Sequence, residues 1–193
     1  ALVDDAHGLG IAVVMDIVHS HSVDNEAEGL GLFDGKETLY FYDGWQGHHP
    51  AWGSRCFDYG KDETKCVLLS NCKYWMEEYN MDGFRFDGVT SMLYWDHGLE
   101  KDFVGYENYF NQGVDPNAIT YLALANILIH EIDKDAFTIA EDVSGMAGLA
   151  APIEVGGVGF DFRMSMGVAD NWIKWIKELP DDHWSMGEMW WQL

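Results

Sequence analysis

Positive charge is what this chain has least of. Its 193 residues carry 11 Lys and Arg against 33 Asp and Glu, a formal net charge of −22. That balance excludes nucleic acid and anionic membrane as partners, since both are held by cationic contacts. A neutral ligand is not repelled. Cysteine is also scarce: Cys56, Cys66 and Cys72 are the full set. None has the CxxC spacing of a metal or redox motif, so no metal is implied. Cys66 and Cys72 are six apart on one expected helix, on faces poorly matched for a bond. The three are therefore expected to be free thiols of the core in a reducing, intracellular compartment. No apolar run reaches membrane length, and no signal peptide is visible. Repeats and low-complexity tracts are missing too. The opening ALVDDAHGLG reads as mid-helix, so the chain is expected to be truncated.

What is present suits one ordinary folded unit. The composition is 48% hydrophobic and 15% aromatic, enough for a core. Residues 1–8 read as the end of a helix stopped near Gly8 and Gly10. Residues 11–18 are apolar and β-branched, as in a parallel strand covered on both faces. Residues 22–61 are rich in Gly, Asp and aromatics without periodicity, and are expected as a loop or small subdomain over the strand ends. Residues 64–79 predict an amphipathic helix with Leu68, Cys72, Trp75, Met76 and Tyr79 on one stripe. Residues 83–89 predict a second strand and residues 92–114 a long loop. Asp115-Pro116 is a helix start, with an acidic N-cap and proline at N1, opening an apolar helix over 117–130. Residues 137–143 and 160–164 predict two further strands. Residues 168–179 form an amphipathic helix through Ala169, Trp172, Ile173 and Ile176, stopped by Pro180. Strand and helix alternate throughout, which argues an α/β class with a parallel sheet, doubly wound or barrel.

The chemistry sits at the ends of three strands. In GFRFDGVTS, Arg85 and Asp87 are two apart. Alternate strand residues share a face, so both point one way. A carboxylate beside a guanidinium stays ionised, and on an apolar strand it is costly without a task. The stretch FTIAEDVS ends in Glu141 and Asp142, and IAVVMDIVHSH carries Asp16 and His21. Three strands, each delivering an acid near its C-terminal end, suggest a carboxylate-based active site. Asp142 should face away from Glu141 and is expected to be structural. Tyr40, Trp45, Trp52, Tyr94 and Trp95 lie on loops, where aromatics serve as local core or as a platform for sugar C–H faces.

DIVHSH, GFRFDGVTSMLY, AEDVSGM, YLALANILIH and GGVGFDFRM together resemble the alpha-amylase family of glycoside hydrolases and transglycosidases, and within it the branching type. The resemblance runs in order along nearly the whole chain. It implies a partial (β/α)8 TIM barrel, about strands three to six, with 1–193 as one catalytic piece and 22–61 inserted after its first strand. It implies Asp87 as nucleophile and Glu141 as acid/base of a retaining reaction. Asp16 and His21 would support the sugar ring, with His19 a weaker candidate behind them. Thr90 and Ser91 would fall on the acceptor side; Ser91 stands where hydrolytic amylases often carry His. The implied substrate is an alpha-glucan, starch or glycogen, in the cytoplasm or a plastid, with no cofactor. The family's third acid, in an HD-type motif on the following strand, lies outside these residues, so the implied partner is the remainder of the barrel. Gln46, in GWQGHHPAW, stands where a branching-type loop would carry Arg. A hydrolase of the amylase type and a non-catalytic glucan-binding fragment remain alternatives.

Overall fold

The computed structural model describes residues 1–191. It divides into two compact units, Ala1–Arg163 and Met164–Leu193. The first is built on four parallel strands: β1 (Val14–Ile17), then β5 (Gly83–Phe86), β6 (Phe137–Ala140) and β7 (Phe162–Arg163) in chain order. They lie side by side in the order β1-β5-β6-β7, with β1 and β7 outermost. The register aligns Asp16 with Arg85, and Arg85 with Ile139. Backbone bonds carry the alignment one residue past the strands, from Asp87 N–H to Ile17 O and from Glu141 N–H to Phe86 O. Asp87 and Glu141 thus stand together on the C-terminal edge.

The two faces of the sheet differ. Phe84, Phe86, Thr138 and Ala140 are fully buried against the helices. On the other face Val14 and Phe162 are exposed and Arg85 and Ile139 are half-buried. Burying the first set is worth roughly 1.5–3 kcal/mol for each large side chain.

Helix α2 (Asp62–Tyr79) follows the expected pattern at Leu68, Cys72 and Met76, which are buried. Asp62 and Glu63 sit at its positive end. It stops at Asn80, which takes the left-handed conformation at φ 55°, one of the few non-glycine residues suited to it. Tyr79, expected on the buried stripe, is exposed and lays its ring against Tyr74 and Trp75 of the same helix. Cys66 is exposed as well, whereas Cys56 and Cys72 are buried and all three are free. Burial pushes the Cys56 and Cys72 thiols up to about 12. Helix α4 (Pro116–Ile132) starts as the sequence indicates: the Asp115 carboxylate accepts from Asn117 N–H at 2.9 Å, and Pro116 is its first residue.

One stretch departs from expectation. The second strand stops at Phe86, and Val89–Leu93 is a short helix, α3. Gly88 turns the chain between them at φ 66°, so the strand ladder cannot continue. The region expected as a loop or small subdomain, 22–61, holds β3 (His48–His49) and β4 (Ser54–Cys56), which with β2 (His21–Val23) at its start form a three-stranded antiparallel sheet in the order β2-β4-β3.

In the second unit, helix α5 (Met166–Glu178) buries Trp175 alone. Trp172, Ile173 and Ile176, expected on an inward stripe, are exposed. The amphipathic pattern is real, and within this unit Trp172 packs on other tryptophans, 5.8 Å from Trp175 and 5.9 Å from Trp184 between ring centroids. Among the described residues no helix is long and apolar enough to cross a membrane.

Candidate active site

Three strand ends bring their charged groups to one place. The register sets Asp16 beside Arg85, and the Arg85 Nη1 donates to both Asp16 carboxylate oxygens at 2.7 Å. The same nitrogen pairs with Asp87 Oδ1 at 2.8 Å. Burial would lower the basicity of Arg85, but its hydrogen bonds to Asp16 and the charges of Asp16, Asp87 and Glu141 outweigh it and raise the guanidinium above its ordinary value. Glu141 enters from β6, where its Oε2 accepts from Gly88 N–H at 2.8 Å. The residue after Asp87 therefore orients Glu141. Two carboxylates on adjacent strands are held by one guanidinium and one backbone amide.

Gly88 is the tightest point of this assembly. A Cβ there would lie 2.8 Å from Ser20 Oγ, 3.2 Å from Ser20 Cβ and 3.5 Å from Trp52 Cη2. Its positive φ adds a second reason for glycine.

His21 sits at the rim. Burial lowers its pKa, and the charge of Asp87 partly restores it. Its ring lies 4.8 Å from Trp52. Trp52 in turn stacks face to face on His49 at 3.7 Å and 3°. His49 is buried and both of its ring nitrogens lack a hydrogen-bond partner. Desolvation, then the proximity of His97 and His21, brings His49 down to about 4. His97 packs on its far side at 4.5 Å. Among the described residues no group of three or more His, Cys, Asp or Glu is placed to hold a metal ion.

His19 turns the other way. Its ring bonds the Tyr121 hydroxyl at 2.6 Å and Asn71 Oδ1 at 3.0 Å, and burial pulls it down to about 4 despite the Asn71 bond. It ties the end of β1 to α2 and α4. Asp142 is buried, as the alternation required, and accepts from the hydroxyls of Thr90 and Ser144 and from the amides of Ser144, Gly145 and Met146.

No protein-family model matches the chain. It is 50% identical over 193 residues to a 1,4-alpha-glucan-branching enzyme of Rhizophagus irregularis, covering all of this chain and 28% of that protein. It is 52% identical over 189 residues to that of Equus caballus, covering 97% of this chain and 27% of that one. With that of Solanum tuberosum the figures are 50% over 192 residues, 97% and 22%. Along its whole length the chain is similar to one segment of these branching enzymes. It spans only about a quarter of the length of the relatives it matches. Among solved structures it is similar to a maltogenic alpha-amylase of Thermotoga neapolitana, with TM-score 0.58 at 20% identity over 97% of this chain and 35% of that one. The catalytic module of a pneumococcal glycogen-degrading virulence factor gives 0.51 at 19%, over 76% and 16%. The likeness to those two shows the fold alone: a four-stranded parallel part of a (β/α) barrel.

Of the residues singled out in the sequence, Asp16, Arg85, Asp87 and Glu141 lie together, with His21 close enough to feel the charge of Asp87. Thr90 does not present its hydroxyl: Oγ1 donates to Asp142 at 2.6 Å and accepts from Val143 N–H at 2.9 Å. Ser91 is buried with a free hydroxyl beside the site. The loop aromatics divide. Tyr94 is core, Tyr40 and Trp95 are half-buried, and Trp45 and Trp52 are exposed. His49, His97 and Gly88 are the residues that sequence reasoning missed. The three-residue spacing of His49 and Trp52 across a tight Pro-Ala turn was the available signal.

Proposed function

We propose that this chain supplies the nucleophile and the acid/base of a retaining alpha-glucan branching reaction. The observation behind it is the meeting of Asp16, Arg85, Asp87 and Glu141 at the C-terminal ends of adjacent parallel strands, where barrel active sites lie. In a retaining reaction one carboxylate attacks the anomeric carbon while an acid protonates the departing oxygen, the two groups being about 5–5.5 Å apart. Asp87 takes the first role, and Arg85, paired with its carboxylate at 2.8 Å, aims it. Glu141 takes the second and, once its proton is given, acts as base toward the incoming hydroxyl. In branching, that hydroxyl is the 6-hydroxyl of another glucan chain, so an alpha-1,4 link is replaced by an alpha-1,6 link. Asp16 and His21 support the sugar ring, and Ser91 borders the acceptor. The third family acid is to come from sequence outside these residues. The free thiols fit a reducing cytoplasm or plastid.

The test is the product made from amylose by the full-length protein carrying this chain. New alpha-1,6 linkages with no net rise in reducing ends support branching. Reducing ends without branches would make it a hydrolase, and binding without turnover would leave a glucan-binding module.

A further inference from the structure

A second groove opens beside the site, between the turn at residues 44–51 and the segment 96–100. It holds about 700 Å³ and is lined by Trp45, His48, Pro50, Asp96, Leu99 and Glu100, among others, with His97 in its floor. That is the volume of a site for a ligand of several rings. Trp45 is 67% exposed. Its turn is pinned: Asp43 accepts from Gly44 N–H at 2.8 Å, and a side chain at Gly47 would lie 2.0 Å from Tyr42 O. The opposite wall is held in unusual backbone: His97 and Glu100 have φ of 60° and 54°. Such conformations in residues other than glycine cluster at binding sites. Asp96 accepts from Gly98 N–H at 3.1 Å and pairs with Lys101.

Packed side chains link the groove to the catalytic end of the sheet. His97 Nδ1 donates to Ser91 O at 3.2 Å, and its ring lies on His49. His49 carries Trp52, which reaches Gly88 beside Asp87. A row of rings thus joins the lining of the groove to the turn at Gly88, the residue after Asp87.

We propose that this groove is a binding subsite for a neutral glucan chain, with Trp45 as its stacking platform. The inference rests on the functional reading above. The lining has the chemistry for it. Trp45, Pro50 and Leu99 offer apolar surface to sugar C–H faces, and the carboxylates of Asp96 and Glu100 accept from hydroxyls. A chain carrying −22 charges repels an anionic ligand. The groove therefore holds an arm of the same polymer whose bond is cut at Asp87, which favours long substrates over short ones.

Maltoheptaose titrated calorimetrically into the full-length protein tests this. Trp45→Ala should weaken binding about five- to ten-fold, the loss of one aromatic stacking contact, with Tm unchanged, and Trp45→Phe should recover most of it. Trp190→Ala, which removes another exposed tryptophan, should bind as the unsubstituted protein does. Equal affinity of Trp45→Ala and the unsubstituted protein would overturn the groove and leave the catalytic reading standing. No binding of maltoheptaose by the unsubstituted protein would overturn both.

Discussion

Glu141 and Asp142 are consecutive carboxylates in opposite surroundings. Glu141 is half-buried, has one backbone donor at Gly88, and shares its space with Arg85 and Asp87. Asp142 is fully enclosed and takes hydrogen bonds from two hydroxyls and three amides. One carboxylate keeps spare capacity and points at the open side of the sheet. The other has spent its lone pairs on holding the loop after β6. The contrast extends to their neighbours, Asp87 at the mouth and Thr90 in the knot. An acid that is fully satisfied by its own fold has little left to offer a substrate.

The largest effect that separates these regions is on turnover. Asp87→Asn in the full-length protein should keep shape and lose nucleophilicity, lowering the branching rate by several powers of ten with Tm little changed. Normal branching by this variant would end the assignment of Asp87. Asp142→Ala should do the reverse kind of damage. Four residues lose their acceptor in a buried place, a cost of about 3–5 kcal/mol, visible as a clear fall in Tm. A variant with wild-type Tm would show that the knot does not hold the loop.

Acid sharpens the comparison from another side. His19 titrates at about 4 in the folded protein, below the ordinary 6.5, because it is buried between Tyr121, Asn71 and Phe86. The unfolded chain binds that proton first as pH falls. The contribution of neutral His19 is therefore complete above about pH 6.5 and declines down to about pH 4, by about 3 kcal/mol in all. Denaturation profiles between those limits should be steep, and His19→Gln should flatten them. An unchanged slope in His19→Gln would place the titration elsewhere. The smallest effect is expected at Gly88. Gly88→Ala adds a methyl 2.8 Å from Ser20 Oγ at positive φ, a cost of about 1–3 kcal/mol. It should also slow turnover, since the displaced amide holds Glu141. Wild-type stability together with wild-type rate would show that the turn tolerates a side chain.

Much of this was legible because it depends on local chemistry. The Asp115-Pro116 start of α4, the helix read at 64–79 and the strand ends carrying Asp16, Asp87 and Glu141 follow from capping, periodicity and β-branching. Alternation alone separated Glu141 from Asp142. What was not legible depends on pairing across distance. The register that puts Asp16 on Arg85 is fixed by hydrogen bonds between segments 69 residues apart. The inward turn of Thr90 depends on Asp142, 52 residues on. The stripe of α5 was visible as a pattern, but a pattern does not say what covers it, and Trp172, Ile173 and Ile176 are exposed. The His49–Trp52 stack follows from the β3–β4 hairpin, which the aperiodic loop text did not announce.

The outermost strands β1 and β7 carry a consequence in symmetry. They are different surfaces, one Val14–Ile17 and the other Phe162–Arg163. Copies that quench these edges on each other must join head to tail, an edge of one kind on an edge of the other. Such contacts grow without limit unless the curvature closes them. Four strands from each of two copies make eight, the number at which a parallel barrel shuts on itself. Whether the isolated chain yields a discrete pair or an open-ended aggregate is therefore a measure of how much barrel curvature these four strands hold by themselves.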